Sequence, residues 1–256
     1  MGELESPMPA FSQNLDQSVR RALALAGQRH ECASPEHLLL ALTDDPDAAP
    51  VMQACNVDLE KLRGALLASM PAPDGSPFGT VPTTSQSFQA DLRRATVHAQ
   101  SVGREEITGA DVLVTILAGP AAGFLHEQGM TRYDATSFIS HGITKDAQMR
   151  RRDREPGGRS GPQALSGDSA GASMFKVRLL NDDYTPMEFV VCLLEEVFGL
   201  ERETAMHIML QTHQEGMGEC GPFSREEAEA RAAQVMDLAR QNQHPLRCSL
   251  ELVGSV

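Results

Sequence analysis

Apolar residues recur every three or four positions through the first 143 residues, and the pattern is written twice. Gln13 to Ala22 (QNLDQSVRRA) lines up with Gln86 to Ala95 (QSFQADLRRA). One residue further out of step, Ser34 to Leu42 (SPEHLLLAL) lines up with Thr108 to Ile116 (TGADVLVTI), and Asp58 to Leu62 with Arg132 to Thr136. Ser34 before Pro35, and Thr108 ahead of Asp111, are helix starts. Leu38, Leu39 and Leu42, like Val112, Leu113 and Ile116, make inward faces at helical spacing. Each copy therefore predicts about four short helices. One copy alone cannot bury its apolar face, so copies over about 13–70 and 86–141 are expected to pack as a pseudo-symmetric all-α domain spanning 13–143, after a tail at 1–12. The connector Pro71 to Pro82 is rich in Pro and Gly and has no period.

The pattern changes in the last third. Met174 to Leu180 (MFKVRLL) alternates as a strand, and Thr185-Pro186-Met187-Glu188 reads as a helix start: Thr as N-cap, Pro at the first position, Glu closing a capping box. A helix over 186–198, another over 201–215, a short strand near Met217 to Gly221, a helix over 224–241 opened by Ser224-Arg225-Glu226-Glu227, and a last strand over 246–253 complete the reading. That order over 174–256 fits a small α+β sandwich with helices on one face of an antiparallel sheet. Between the halves, 144–173 (TKDAQMRRRDREPGGRSGPQALSGDSAGAS) reads as a flexible linker. Its basic run, Arg150 to Arg152 and Arg154, is interrupted by Asp153 and Glu155 and reads as a solvated spacer.

Charge narrows the range of partners. The net charge is −13, with 9 basic and 17 acidic side chains in 1–143 and 7 and 14 in 174–256, so nucleic acid and anionic membrane are poor partners. Five cysteines form no CxxC pair and no zinc spacing, which suits a reducing cytoplasm and predicts no metal and no cofactor. No apolar run approaches membrane length. The three lysines, Lys61, Lys145 and Lys176, follow Glu60, Thr144 and Phe175, so the Gly-Lys-Ser/Thr of a phosphate-binding loop is absent from this chain.

The candidate chemistry gathers where the first strand meets its helix. Asn181, Asp182 and Asp183 offer two carboxylates and an amide on a tight turn, with acceptor capacity for a cationic donor such as an amine; the same residues are also ordinary turn formers. His213 lies on a predicted helix with no Ser or Cys in a nucleophile setting beside it, and His207, six residues away, falls on another helix face. No catalytic set can be assembled, and the histidine reads as either structural or ligand-binding.

The downstream residues carry a resemblance. NDDYTPMEFV, the helical His213 followed by Gly216, the CGPF turn and the HPLRCSLE ending make the stretch from Met174 to Val253 similar to the ClpS family of Clp protease adaptors. HECASPEHLLLAL, GREEITGADVLV and FISHGI make Phe11 to Ile143 resemble the N-terminal domain of ClpA-type unfoldases. The first resemblance implies that Asn181, Asp183 and His213 hydrogen-bond the free α-amino group of a substrate protein while Asp182 meets the peptide backbone behind it. It also implies an apolar hole for the first side chain, lined by Leu179, Met187, Val190, Met209, Thr212 and Leu246, with Met187 excluding β-branched residues. Thr212 departs from the aliphatic residue usual there, and its hydroxyl either favours Tyr over Phe or shrinks the hole. Docking to an unfoldase N-domain is implied at Glu226 and Arg231, and on the partner side at Glu31 and Glu36. The expectation is an adaptor, not an enzyme, for chains beginning with Leu, Phe, Tyr or Trp, with a ClpA-type unfoldase as partner in cis or in trans. The rival is a self-docked regulatory scaffold that limits access to the unfoldase.

Overall fold

The doubled helical pattern is realised as two sets of four helices in the computed structural model, which describes residues 9–29, 31–70, 83–154 and 174–253. The first copy forms α1 (Gln13–Gln28), α2 (Pro35–Leu42), α3 (Ala48–Ala54) and α4 (Leu59–Ser69). The second forms α5 (Gln86–Ser101), α6 (Gly109–Ile116), α7 (Ala122–His126) and α8 (Arg132–His141). Leu38, Leu39, Leu42, Val112, Leu113 and Ile116 are all fully buried, as their spacing requires. Thr108 and Thr131 close capping boxes with Asp111 and Asp134, and Ser12 and Ser85 cap α1 and α5.

A buried polar knot shows how the copies differ beneath the repeat. In the first, Ser18 on α1 donates its hydroxyl to Asp45 in the loop after α2, at 2.5 Å, and Arg21 donates to Ser18 at 2.8 Å. The equivalent helix position in the second copy is Asp91, which pairs with Arg94, and the equivalent loop position is Gly119. The acid has thus moved from loop to helix. Asp45 also receives the Asp47 and Ala48 N–H groups at 2.9 and 3.0 Å, and it fills the space over Gly109 at the start of α6. A Cβ on Gly109 would stand 2.5 Å from the Asp45 carboxyl carbon. Gly109→Ala is therefore expected to lower the unfolding stability of the helical unit by about 1–3 kcal/mol, and Asp45→Ala to relieve part of that loss, so that the double variant costs less than the sum of the singles. Thermal unfolding of the four-member cycle checks it, and strict additivity would remove the contact.

Two boundaries differ from expectation. Ala10–Phe11, inside the predicted tail, is a short strand β1 paired in parallel with β2 (Glu106–Ile107), through Ala10 N–H to Glu105 O and Ser12 N–H to Ile107 O, each 2.9 Å. Two residues of strand leave no period to read. Lys145–Arg154, inside the predicted linker, is helix α9. Its first turn is held by the helical unit: Ala147 N–H donates to Thr144 Oγ1, Lys145 Nζ to Gly129 O, and Asn56 Nδ2 to Asp146 Oδ1 at 2.7 Å. The remaining predicted linker, residues 155–173, lies outside the described residues, as do 1–8 and the connector Pro71 to Pro82.

The chain divides into two units, Met1–Arg152 and Asp153–Val256. In the second, strands β3 (Phe175–Leu180), β4 (Met217–Phe223) and β5 (Arg247–Leu252) form an antiparallel sheet in the order β4-β3-β5, with α10 (Met187–Phe198), α11 (Arg202–Glu215) and α12 (Arg225–Gln241) as its helices. Alternation along β3 sends Val177 and Leu179 into a core with Val190, Leu194, Ile208, Met209, Val235 and Leu246. The opposite face carries charge: Lys176 and Arg178 both reach Glu219 on β4, at 2.6 and 2.8 Å, and Arg178 also pairs with Glu251 on β5. Hydrogen bonds from Lys176 and then Arg178 hold the Glu219 carboxyl below its ordinary range. This cross-strand ladder supports one register for all three strands.

Candidate functional site

Register decides which chain ends meet. Leu180, the last residue of β3, lies opposite Met217, the first of β4, and Arg247, the first of β5. The residues just beyond those ends, Asn181, Gly216 and Leu246, therefore share one end of the sheet. Asn181 N–H closes the corner by donating to Gly216 O at 2.9 Å. Gly216 ends α11 with a φ of +82°, a left-handed conformation open to glycine, which lets the chain leave the helix straight into β4. His213 lies in the last turn of α11, three residues before Gly216, and its side chain is exposed.

The turn itself is built by Asp182. Its Oδ1 accepts the N–H groups of Tyr184 and Thr185, at 2.8 and 2.7 Å, and its Oδ2 accepts the Thr185 hydroxyl at 2.7 Å. The adjacent Tyr184 is buried and anchors the loop to the unit. One expectation is corrected here. Thr185 is not the N-cap of α10: the cap is Pro186, with extended φ and ψ of −60° and 139° and no side-chain cap bond, and the Thr185 N–H and hydroxyl are given to Asp182. Asp182 thus holds the turn in shape from within the chain. Asn181 and Asp183, on either side of it, are half-buried.

The predicted wall residues separate into two groups. Leu179, Val190, Met209 and Leu246 are at most 8% exposed and belong to the core behind the turn. Met187 opens α10 and is 38% exposed. Thr212 is buried, and its hydroxyl donates to Ile208 O at 2.8 Å within α11. A Cβ on Gly218 would strike that hydroxyl and stand 2.8 Å from Ile208 O, so the absent side chain at Gly218 makes room for Thr212. The hydroxyl is satisfied inside the wall. Nothing in the spacing of Thr212 and Gly218 announces this pairing, because it joins a helix to the next strand across the C-cap.

The four predicted docking residues are unequal. Glu226 is exposed in the first turn of α12, and Glu36 is half-buried in the first turn of α2. Arg231 is engaged within its own unit: it pairs with Glu227 at 2.7 Å, donates to Phe198 O at 3.4 Å, and lies 4.2 Å over the Phe223 ring. Glu31 is 3.3 Å from Nε2 of the buried His37, whose pKa burial pushes below its ordinary value. Among the described residues no cluster of three or more His, Cys, Asp or Glu side chains is placed to hold a metal ion, and no helix is long and apolar enough to cross a membrane.

Residues 170–249 match the family model described as ATP-dependent Clp protease adaptor protein ClpS, and residues 10–128 match that of the Clp repeat (R) N-terminal domain. The ATP-dependent Clp protease adapter protein ClpS of Rhodospirillum centenum is 61% identical over 79 residues, covering 31% of this chain and 73% of that protein. The ClpS adapter of Gluconobacter oxydans is 63% identical over 79 residues, covering 31% of this chain and 66% of that one. A ClpA homolog protein of Fuscovulum blasticum is 51% identical over 151 residues, covering 54% of this chain. The chain spans only 18% of the length of that ClpA homologue.

Proposed function

The chain belongs to the ClpS family of Clp protease adaptors through its second unit and joins to it a Clp N-terminal repeat domain, and from that premise we propose that it captures proteins by a free N-terminal Leu, Phe, Tyr or Trp for a Clp ATP-dependent protease. The observation that supports this reading is the closed corner at Asn181 N–H and Gly216 O, which joins the start of the Asn181–Asp183 turn to the residue that ends α11, three residues after His213. An ammonium has three donors, and each one left without an acceptor away from water costs about 1–3 kcal/mol. Asn181, Asp183 and His213 supply acceptors for a chain end and have no equivalent use for an internal amide; this is terminal-amine capture. Asp182 acts as the positioning residue that holds Asn181 and Asp183 in place. Because the Thr212 hydroxyl already donates to Ile208, it presents no spare hydrogen to a ligand, and the wall should treat Phe and Tyr alike.

The helical unit then serves as a copy of the domain on which such adaptors dock, in cis or in trans to a ClpA-type unfoldase. Glu226, exposed on α12, is the docking residue open to substitution without disturbing the fold, whereas Arg231 is bound to Phe223 and Glu227. The test is delivery: with a ClpA-type unfoldase and its peptidase present, the full chain should accelerate degradation of a reporter bearing N-terminal Phe over the same reporter bearing N-terminal Ser. Equal rates for the two reporters, with and without the chain, would sink the adaptor reading.

Met187 tests the rim. Met187→Ala should admit peptides beginning with Ile or Val, tightening them about tenfold or more while changing Phe peptides little, because the exclusion is steric. A folded Met187→Ala protein that still refuses Ile peptides would return Met187 to ordinary surface.

A further inference from the structure

The sheet of the second unit has two edges, and the chain builds them differently. β4 meets β3 through a register shift between Phe175 and Val177 and carries Pro222 near its end, both of them devices that blunt an edge strand. β5 has neither. Its six residues stand in unbroken register with β3, its only strand partner among the described residues, and Arg247 to Leu252 includes no Pro, Gly or Lys. Val253 N–H donates to Met174 O at 2.8 Å, so the alternation of an antiparallel ladder turns the backbone groups of Arg247, Ser249 and Glu251 toward β3. Those of Cys248, Leu250 and Leu252 turn to the outer edge. Leu250 and Leu252 share a face with Cys248, whose thiol donates to Ala232 O of α12, yet they are 37% and 52% exposed.

We propose that β5 pairs with β5 of a second copy of this chain, antiparallel about a two-fold axis at Ser249. Charge selects both the occupant and the register. On the face opposite α12 the strand begins with Arg247 and ends with Glu251, which itself pairs with Arg178, so β5 is complementary to its own reverse. With the axis at Ser249, Arg247 of each copy stands opposite Glu251 of the other, in the non-hydrogen-bonded position where Cα atoms approach to about 4.5 Å. Cys248 of each copy then exchanges backbone hydrogen bonds with Leu250 of the other, and the two Leu250 side chains become diagonal neighbours. Moving the axis by one residue either way removes both charge pairs. One strand pairing is small beside the roughly 1,200–2,000 Å² of a stable interface, so the dimer is concentration-dependent.

The test uses the full chain and two readouts. By sedimentation velocity, Arg247→Glu and Glu251→Arg should each weaken the dimer about tenfold, because two pairs of opposite charges become pairs of like charges. Mixing the two variants should restore it, since each then meets the opposite sign, and restoration shows that both variants are folded. Ser249→Cys sets two thiols on the axis, and oxidation should link copies several-fold faster than in the unaltered chain or in Glu251→Cys, whose thiols stand apart across the axis. A chain that stays monomeric at every concentration overturns the proposal, as does a mixture of the charge variants that stays monomeric. A dimer that survives both charge variants but is lost in Glu226→Arg, with Ser249→Cys linking no faster than the unaltered chain, is exchange of the helical unit between chains and overturns it too.

Discussion

Acetylating the α-amino group of a peptide that begins with Phe should weaken its binding to the full chain at least about 100-fold, equivalent to about 3 kcal/mol. The acetyl group removes the positive charge and leaves one N–H where the ammonium had three, so Asn181, Asp183 and His213 lose their shared partner at once. Hydrogen bonds to charged groups are worth about 1.5–3 kcal/mol each, and losing two of the three already reaches the stated size. Asp183→Ala should cost a similar factor for the free peptide and almost nothing for the acetylated one. The contrast between the two peptides isolates the amine from general damage to the fold. Fluorescence anisotropy on the four combinations checks the prediction. Equal affinity for free and acetylated peptides would end the assignment of this corner as an amine site.

The second large effect is expected at the residue whose carboxylate holds the turn together. Asp182→Ala removes the acceptor for the Tyr184 and Thr185 N–H groups and for the Thr185 hydroxyl. Three bonds to a charged acceptor, partly replaced by water at a half-buried site, should lower the stability of the ClpS-like unit by about 2–4 kcal/mol. The same change frees the turn on which Asn181 and Asp183 are mounted, and peptide affinity should fall about 30-fold or more. Thr185→Val removes only the hydroxyl bond and should give a partial loss in both readouts, with affinity down a few-fold. Parallel loss of melting temperature and affinity across the two variants marks a positioning role. An affinity loss in Asp182→Ala with unchanged melting temperature, and no effect in Thr185→Val, would show instead that the Asp182 carboxylate meets the peptide directly.

Both expectations begin from side chains named in the sequence, but they draw on it to different degrees. The turn was visible as Asn-Asp-Asp between an alternating strand and a helix, since strands and helices advertise their burial at periods of two and 3.6 residues. Its internal wiring was not visible. Thr185 before Pro186 has the form of an N-cap, yet in the fold its N–H and hydroxyl go to Asp182 and the helix opens one residue later, at Pro186. Arg231 shows the same limit: in the sequence the resemblance makes it a docking charge on a helix, and its engagement within its own unit depends on Phe223 at the end of β4 lying under its guanidinium.

By itself, then, the sequence determined the two-unit plan, the doubled set of four helices, and the strand and helix order of the second unit, because each follows from local propensity, capping residues and a repeating apolar face. The tertiary structure alone decided that Asn181 meets Gly216, that Asp45 packs over Gly109, that Gly218 leaves space for Thr212, and that Ala10–Phe11 finds a partner at Glu106–Ile107. These are choices of partner rather than of conformation. Most of them join residues tens of positions apart, and several make or spare a single contact, so they leave no period along the chain. They become definite only when strand register and helix packing bring the groups within about 3 Å of one another, where a hydrogen bond or a clash is decided.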